Sequence, residues 1–423
     1  LNAAAIVFAG IIIALNIGKL PPALPALREE LGLSLVQVSW MVSLFMIAPA
    51  FIGLVAGSII DRFDPRRTMI AGLVIMALAG ALGAWAPSTG MLFVSRALES
   101  VGYLVAVLPG PSLIARLIEP ARLRAWLGIW SAYMPAGMGL ALLATPLVLE
   151  LAGWRGVWTI CAALTGIVVV LVAFVHPGAH PDTRQADPLP IDRSAACDAN
   201  ESVVGRTRPA GADIGRSGEG ADNGIIALVR QTLRSPGPWM LSLCFLLYAG
   251  QYMGIFSFLP SIYHDAGLSV QWGATLTAIA VIVNMTGNLS AGYLLQHGVS
   301  RASLVIFTGL AMAVCEWLAF GSGLAFGWRY AAIVLLSAFG GLIPGTMFAT
   351  APFYAPTPAA ISTTVGLMQQ GSSVGQLIYP LIVATMAQYA GGWDSIWMAT
   401  GVGALLTVVI GGLIARHDRL RAR

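Results

Sequence analysis

Long apolar runs alternate with short polar stretches along the whole sequence. Twelve of these runs have roughly 20 residues or more, the length that a helix needs to cross about 30 Å of hydrocarbon. The runs form two groups of six. We predict membrane spans at 3–27, 36–60, 68–87, 90–116, 122–149, 155–176, 238–262, 270–295, 302–321, 327–351, 358–389 and 394–415.

The two groups are separated by residues 177–236, which are rich in Pro, Gly, Ser, Asp and Arg and nearly free of aromatic side chains. We interpret this stretch as a flexible linker with one short amphipathic helix near residues 225–233. A small folded domain is the alternative, but so few large apolar side chains bury little core. The predicted organisation is a first six-helix bundle at 1–176, a linker at 177–236, and a second bundle with a short tail at 237–423.

Composition restricts the class of protein further. Apolar residues make up 57% of the chain and charged residues 10%, and the mean hydropathy is +0.80. Soluble domains carry about a quarter charged residues, so an ordinary soluble domain is excluded. The apolar runs exclude a disordered chain, and 48 glycines with 24 prolines exclude a coiled coil.

No sequence feature indicates catalysis or a bound cofactor. Four scattered cysteines (Cys161, Cys197, Cys244 and Cys315) lack metal-ligand spacing and indicate no disulfide framework. The chain has no G-x-x-x-x-G-K-[ST] loop, and its five histidines form no H-E-x-x-H motif. We therefore expect no enzyme activity, no metal and no cofactor.

Positive charges lie mostly on one side of the predicted spans. If the N-terminus is cytoplasmic, 18 of the 23 basic residues fall in inner loops, the linker and the tail, and only Arg28, Arg155 and Arg329 lie outside. This asymmetry predicts a multi-pass protein of the cell inner membrane with both termini and the linker cytoplasmic. We expect a monomer in the lipid bilayer, with no nucleic-acid partner and a short cytoplasmic leader before Leu1.

The loop after the second span carries an ordered set of small, acidic and basic residues that resembles the signature of the major facilitator superfamily. That signature reads G-x-x-x-D-[RK]-x-G-x-[RK]-[RK], and Asp64 stands where the family has its second glycine. In the family the loop acid helps to hold the cytoplasmic side closed, so the resemblance implies gating roles here. The matching residues are Gly57, Asp61, Arg62, Arg66 and Arg67.

A related spacing follows the second span of the second group. It begins at Gly292 and ends at Arg301, with Gln296 in place of the acid. Two related loops at corresponding positions indicate an internal duplication. The resemblance therefore implies an all-α membrane protein with twelve transmembrane helices in two pseudo-symmetric six-helix bundles, and implies gating roles for Gly292 and Arg301 as well.

Four charged residues fall well inside predicted spans, where each is costly unless paired or facing water. Lys19 and Arg96 lie at similar depths in the outer half, and Glu99 lies one helical turn from Arg96. Glu316 lies beside Trp317, and we expect it to snorkel outward.

The resemblance implies that the first and fourth spans line a shared central cavity. A cluster of Lys19, Arg96 and Glu99 would leave one net positive charge there, which one carboxylate could balance. Asn16 precedes Lys19, and Pro21 with Pro22 follows it, so we expect an interrupted helix at this point. The alternative is that Arg96 and Glu99 neutralise each other while Lys19 snorkels.

Uncharged polar residues of the second group could offer hydrogen bonds across the same cavity, although each could instead join helices. They lie in the seventh, eighth and eleventh spans. These residues are Gln251, Tyr252, Asn284, Gln369, Gln370 and Tyr379. Together with Asn16, Lys19 and Arg96 they form the candidate substrate-binding set.

These features lead to one main functional hypothesis. We expect a secondary active transporter that moves a small anionic solute, an organic carboxylate or an inorganic anion, by alternating access, with Glu99 as the candidate for coupling to protons as in a symporter. The run from Asn16 through Lys19 and the Pro-rich fourth span also resemble cyanate-permease-like members. A proton-driven multidrug efflux antiporter and, from another class, a non-transporting membrane sensor are the alternatives left open.

Overall fold

The computed structural model describes residues 2–60, 63–119, 126, 129–130, 132–175, 219–357 and 360–421. Within these ranges all regular elements are helical. Ten helical segments are long and apolar enough to cross a membrane. One of these holds two spans, and Ile361–Ala390 adds another, so the predicted set of twelve is present.

The first half contains the spans one to six, and several are broken near their middles. The first span divides at Lys19, and the second has a 3-10 turn before its final helix. The predicted fifth span starts outside the described residues, and its described helix begins at Tyr133. The helices are Asn2–Gly18, Leu20–Leu31, Leu35–Ser43, Ile47–Ile60, Pro65–Ala84, Thr89–Val107, Gly110–Leu117 and Tyr133–Ala173.

The second half follows the predicted amphipathic linker helix, which runs from Glu219 to Arg234. The ninth span ends in a π-helical turn at Trp317–Gly321, and a short 3-10 turn at Trp393–Ser395 opens the twelfth span. The helices of spans seven to twelve are Pro236–Phe256, Leu259–Asp265, Val270–Gln296, Arg301–Glu316, Phe326–Gly340, Leu342–Tyr354, Ile361–Ala390 and Trp397–Arg421.

Gly153 separates the fifth and sixth spans inside one long helical segment. Tyr133–Ala173 has 41 residues, about twice what is needed to cross the hydrocarbon layer. Gly153 has φ 63° and ψ −174°, a conformation that costs glycine little because it has no Cβ. The chain therefore turns at Gly153, as the count of spans requires.

Small residues let the helices of each half pack with their backbones in contact. A Cβ at Gly72 in the third span would lie 2.4 Å from the backbone nitrogen of Ala106 in the fourth. A Cβ at Gly375 in the eleventh span would lie 2.0 Å from the carbonyl oxygen of Leu246 in the seventh. Close packing of small residues replaces the hydrophobic driving force that lipid does not supply.

The two halves share a local design, which agrees with the predicted duplication. Asp64 caps the third span by accepting from the backbone N–H of Arg67 at 2.9 Å. Ser300 caps the ninth span by accepting from the backbone N–H of Ser303 at 3.0 Å. Each cap lies directly after the second span of its half and satisfies an otherwise free helix N-terminus.

The halves meet along the second and eleventh spans. The Gln370 side chain donates to the carbonyl oxygen of Ala50 at 2.9 Å, near the centre. At the end of the bundle opposite the linker, the backbone N–H of Val36 donates to Gln388 Oε1 at 3.4 Å. Both bonds join one half to the other, so the described conformation is closed at that end.

Candidate functional site

The first span breaks at Lys19, where the sequence predicts an interruption. Pro21 and Pro22 carry no N–H, so the carbonyl groups of Ile17 and Gly18 lose their helical donors. Lys19 itself keeps a bond from its N–H to the carbonyl oxygen of Leu15 at 2.9 Å. The break is therefore local, and it opens the helix backbone beside the Lys19 side chain.

Three charged side chains meet at this break, and we call Lys19, Arg96 and Glu99 the charged triad. Lys19 Nζ donates to Glu99 Oε1 at 2.7 Å. Arg96 Nη1 donates to Glu99 Oε2 from one helical turn away. All three side chains are at most 1% exposed. Two cations share one carboxylate, which leaves the triad with a formal charge of +1.

Polar groups of neighbouring helices hold the triad in place. Asn16 Oδ1 accepts from Lys19 Nζ at 3.1 Å, and Asn16 Nδ2 donates to the Thr165 hydroxyl at 3.1 Å. Arg96 Nε donates to the carbonyl oxygen of Met41, and Arg96 Nη1 donates to that of Asn16, each at 3.3 Å. The triad is thereby fixed to the first, second, fourth and sixth spans.

Aromatic rings cover both cations. Lys19 Nζ lies 4.7 Å from the centre of the Trp158 ring, and the Arg96 guanidinium carbon lies 4.6 Å from the centre of the Phe45 ring. A ring face attracts a cation most strongly when both are desolvated. Lys19 therefore does not snorkel outward, and the alternative of an isolated Arg96–Glu99 pair is wrong.

Arg96 is the member of the triad that reaches the boundary between the halves. It lines a small central cavity together with Met253 and Ser257 of the second half. The cavity holds about 10 Å³, roughly the space of one water molecule. Lys19 is not part of this cavity lining, and its amine contacts Trp158, Asn16 and Glu99 inside the first bundle.

Ser257 is a residue of this cavity that the sequence analysis missed. It lies at the break of the seventh span, three residues before Pro260. Lys19 lies at the corresponding break of the first span, two residues before Pro21. This repeat of a break followed by proline is the signal that would have identified Ser257.

Two predicted polar residues of the second half bond to neighbouring helices. Asn284 Nδ2 donates to the Tyr248 hydroxyl at 3.1 Å and to the carbonyl oxygen of Ser337 at 2.9 Å. The Tyr252 hydroxyl lies 3.5 Å from the Ser337 hydroxyl, and its ring stacks on Phe256. Asn284 and Tyr252 therefore join the seventh, eighth and tenth spans.

Gln251 and Tyr379 lie together inside the second bundle, away from the central cavity. A Cβ at Gly403 in the twelfth span would meet the Tyr379 hydroxyl at 2.3 Å and Gln251 Nε2 at 2.8 Å. Gln251 Nε2 donates to the carbonyl oxygen of Leu247 at 2.9 Å. The structure thus brings these two residues to each other rather than to the charged triad.

The predicted residues of the eleventh span differ in their surroundings. Gln369 is exposed, whereas Gln370 is half-buried and bonds to Ala50 across the boundary. Gln388, which the sequence analysis missed, bonds to Val36 across the same boundary. Both cross-boundary glutamines act in closure of the described conformation.

The first loop that we predict to act in gating is described in part. Asp61 and Arg62 lie outside the described residues, and Gly57 lies in the helix Ile47–Ile60. Arg66 Nε donates to the carbonyl oxygen of Val172 at 3.2 Å. Asp64, which replaces the family glycine, has φ −64° and serves as the helix cap, so no left-handed backbone is needed there.

The described contacts of the second loop, like the Arg66 contact of the first, stay within one half. Gly292 lies near the end of the eighth span, and a Cβ there would meet nothing within 4 Å. The Arg301 guanidinium stacks over the Phe353 ring at 3.8 Å, which fixes the start of the ninth span to the end of the tenth.

The expectation that Glu316 snorkels is wrong. Its side chain is 0% exposed, and it faces the twelfth span, where a Cβ at Gly401 would lie 3.9 Å from Glu316 Oε2. The side chain points into the bundle, whereas Trp317 beside it is exposed. In the ranges that the structure covers, no three His, Cys, Asp or Glu side chains are grouped as metal ligands would be.

Known proteins with similar sequences include transporters of two kinds. The chain is 25% identical to the niacin transporter NiaP of Acinetobacter baylyi over 308 residues, 70% of this chain and 67% of that protein. It is 26% identical to the multidrug transporter mfsC of Aspergillus fumigatus over 156 residues, 37% of this chain. The chain spans 27–30% of the length of that transporter and two antibiotic-resistance relatives.

Solved structures and a family model agree on the fold. A bacterial homologue of the human lysosomal transporter Spinster, in an inward-facing and occupied conformation, has a TM-score of 0.77. It is 16% identical, over 98% of this chain and 96% of that chain, which shows the fold alone. The model of the Major Facilitator Superfamily matches residues 6–369, which include parts of both halves. The chain therefore belongs to the Major Facilitator Superfamily, whose members are membrane transporters and not enzymes.

Proposed function

We propose that the chain is a secondary active transporter of a small anion, and that an organic carboxylate is its preferred solute. The observation that carries this proposal is the formal +1 charge of the buried triad, with Arg96 at the central cavity. An excess charge away from water is costly unless a counter-charge is supplied. A bound carboxylate supplies one, and arginine binds carboxylates through two parallel hydrogen bonds.

The small cavity supports an alternating-access mechanism for this solute. In the described conformation about 10 Å³ beside Arg96 leaves no room for a carboxylate. Separation of the second and eleventh spans would widen the cavity and expose Arg96 to water from one side. The solute would then bind Arg96, and Ser257 of the opposite half could donate to it as the halves close.

Glu99 is our candidate for coupling this transport to protons. A solute carboxylate that binds Arg96 competes with Glu99 for the same guanidinium. Glu99 would keep Lys19 as one partner and lose the other, and a carboxylate with fewer cations nearby binds a proton more readily. The proton would therefore travel with the anion, as in a symporter.

The remaining expectations on topology and gating are part of this proposal. We place the protein in the cell inner membrane as a monomer, with both termini and the linker in the cytoplasm. The loop from Gly57 to Arg67, with Asp61 and Arg62, would close the cytoplasmic side, together with the loop from Gly292 to Arg301.

Niacin, the solute in the name of one relative, gives the proposal a practical probe. Niacin is a pyridine carboxylic acid that is ionised near neutral pH, and its amide is a neutral molecule of nearly the same shape. We expect thermal unfolding of the purified protein to move upward with nicotinate or another small carboxylate and not with the matching amide. A ligand at 100 times its Kd stabilises the folded state by about 2.7 kcal/mol.

The same thermal-unfolding screen distinguishes transport of an organic carboxylate from transport of an inorganic anion or of a neutral solute. Arg96→Gln should remove the shift, whereas Arg155→Gln, which alters an exposed ion pair, should keep it. Stabilisation by inorganic anions alone would narrow the solute to that class. Equal stabilisation by acid and amide would contradict a charge-based site.

Multidrug efflux is the second candidate, and similarity to the fungal drug transporter favours it. A cell that produces the protein should then tolerate several unrelated drugs better than a cell that produces the Glu99→Gln variant. Tolerance that is equal in both cells would remove this candidate.

A further inference from the structure

The second half contains a buried acid whose surroundings are opposite to those of Glu99. Glu316 is the last residue of the ninth-span helix and is fully buried. The Thr400 hydroxyl is the donor next to its carboxyl oxygens, but neither oxygen accepts a hydrogen bond of good geometry. No ion pair to Glu316 occurs within the described part of the chain. Glu99, at the same degree of burial, has two cations.

The groups packed around Glu316 supply little counter-charge. The Thr400 hydroxyl of the twelfth span is next to the carboxyl, but it donates to the carbonyl oxygen of Ile396 at 3.3 Å. Cys315 on the same helix and Tyr379 of the eleventh span are the titratable neighbours, and both are neutral when protonated.

The nearest cation on the tenth span is engaged elsewhere. Arg329 Nε donates to the carbonyl oxygen of Ala319 at 2.6 Å, and Nη2 donates to Asp394 at 3.0 Å. From the seventh span, Tyr248 faces the tenth and its hydroxyl accepts from Asn284 at 3.1 Å. Among the described residues, therefore, no charged side chain of the seventh or tenth span forms an ion pair with Glu316.

An ionised carboxylate without a cationic partner is strongly disfavoured in such a buried site, whereas the neutral acid is disfavoured far less. Two buried glutamates with opposite surroundings are expected to take opposite protonation states, which is how acid and base roles are divided in many sites. Glu99 has two cationic partners, Lys19 and Arg96. The surroundings of Glu316 favour the neutral, protonated acid over the carboxylate.

Polar groups extend from Glu316 through the interior of the second bundle. Thr400 and Gly403 are three residues apart and share a face of the twelfth span. Gly403 has no side chain, and the Tyr379 hydroxyl and Gln251 Nε2 pack into that space. Gln251 Oε1 is buried without a donor at the far end of this set of polar groups.

The local backbone also distinguishes this site. A π-helical turn at Trp317–Gly321 follows Glu316 directly. Single π-helical turns are rare and occur frequently at functional sites, since they shift the register of one helix face. A change in this turn would move Glu316 relative to the twelfth span without breaking the ninth-span helix.

We propose that Glu316 is a proton-binding site of the second half, which carries a proton in the described conformation and returns it to water when the halves rearrange. The carboxylate takes the proton from a hydronium ion, which leaves a water molecule, and an O–H bond forms on the carboxyl group. On release this O–H bond breaks, its electron pair stays on the carboxylate, and the proton passes back to water. The role of this proton in coupling rests on the proposed function, whereas its presence on Glu316 does not.

Infrared difference spectroscopy of the purified protein in lipid tests the proposal without any solute. A protonated carboxyl group absorbs through its C=O stretch, apart from the amide and carboxylate bands. At neutral pH we expect such a band in the wild type, with a shift after exchange into heavy water. It should be absent in Glu316→Gln, displaced in Glu316→Asp, and retained in Glu99→Gln.

Identical carboxyl bands in the wild type and Glu316→Gln would overturn the proposal, as would an unshifted band in Glu316→Asp if Glu316→Gln fails to fold. Gel filtration and thermal unfolding of each variant report folding. Because the spectra need no solute, a failure of nicotinate or any other carboxylate to bind would count against the proposed function alone.

Discussion

At the scale of single residues, the charged triad joins stability to the proposed solute preference. Lys19 and Arg96 both depend on Glu99, so the three substitutions are not equivalent. Loss of one cation leaves a neutral pair, whereas loss of the acid leaves two neighbouring cations buried together. The order of the three stabilities therefore reports the charge balance of the site.

We predict that Glu99→Gln destabilises the protein most, because breaking a buried ion pair by removing one partner costs about 3–5 kcal/mol. Lys19→Gln and Arg96→Gln should each cost less, and Lys19→Gln combined with Glu99→Gln should recover part of the loss. Thermal unfolding in detergent measures the order. The exposed pair of Arg155 and Glu30 is the control, and its loss should cost about 0–1 kcal/mol.

A milder effect of Glu99→Gln than of Lys19→Gln would contradict this description of the triad. It would mean that the two cations are stabilised chiefly by the Trp158 and Phe45 rings and the backbone carbonyl groups.

The sequence identified the members of the triad but not all of their contacts. Lys19, Arg96 and Glu99 were predictable because charges inside apolar runs are rare. The bond from Asn16 to Thr165 joins residues 149 positions apart, and no local pattern encodes it. Glu316 was assigned the wrong surroundings because depth along a helix says nothing about which face is turned to lipid.

At the scale of helices, the caps after the second span of each half explain a departure from the family signature. Asp64 replaces a glycine, yet its backbone is extended and its carboxylate accepts from the N–H of Arg67. The cap, rather than an unusual turn, is the local requirement at this position.

We predict that Asp64→Ala lowers the free energy of unfolding by about 0.5–2 kcal/mol. Asp64→Gly should lower it by only a few tenths of a kcal/mol, because glycine is itself tolerated at the cap position. Thermal unfolding of the two variants side by side is the measurement. Equal losses would show that the ion pair of Asp64 with Arg116, at 4.0 Å and half-exposed, matters more than the cap.

Two glutamine side chains bond across the boundary between the halves, Gln370 near its centre and Gln388 at the end opposite the linker. Gln370 bonds to Ala50 and Gln388 bonds to Val36, and each such bond is worth about 0.5–1.5 kcal/mol. The test uses the Leu35→Cys variant as its reference. We expect Gln370→Ala and Gln388→Ala, added together to this variant, to make its labelling by a membrane-impermeant maleimide several times faster. Leu35 lines a cleft of about 330 Å³ at that end.

Gln369→Ala is the matched control, since Gln369 is exposed beside Gln370. It should leave the labelling rate unchanged. The same rate in all variants would show that packing of the second and eleventh spans, rather than these bonds, keeps that end closed.

At the scale of the whole molecule, hydropathy and duplication were sufficient to predict the architecture. Apolar length fixes the number of spans, and Gly153 divides the one segment that is too long. The conformation was not predictable, because closure depends on pairs such as Gln370 with Ala50, 320 residues apart. In the proposed alternating-access mechanism the same two halves also open, so one sequence would encode both arrangements.

The most direct test of the central claim is uptake of small carboxylates into proteoliposomes that contain the wild type, Lys19→Gln, Arg96→Gln or Arg155→Gln. We predict uptake of at least one carboxylate and not of its amide, and a loss of about tenfold or more, at least 1.4 kcal/mol, in the first two variants. Arg155→Gln should retain uptake. Unchanged uptake in both Lys19→Gln and Arg96→Gln, with the proteins folded, would contradict an anion site at the charged triad.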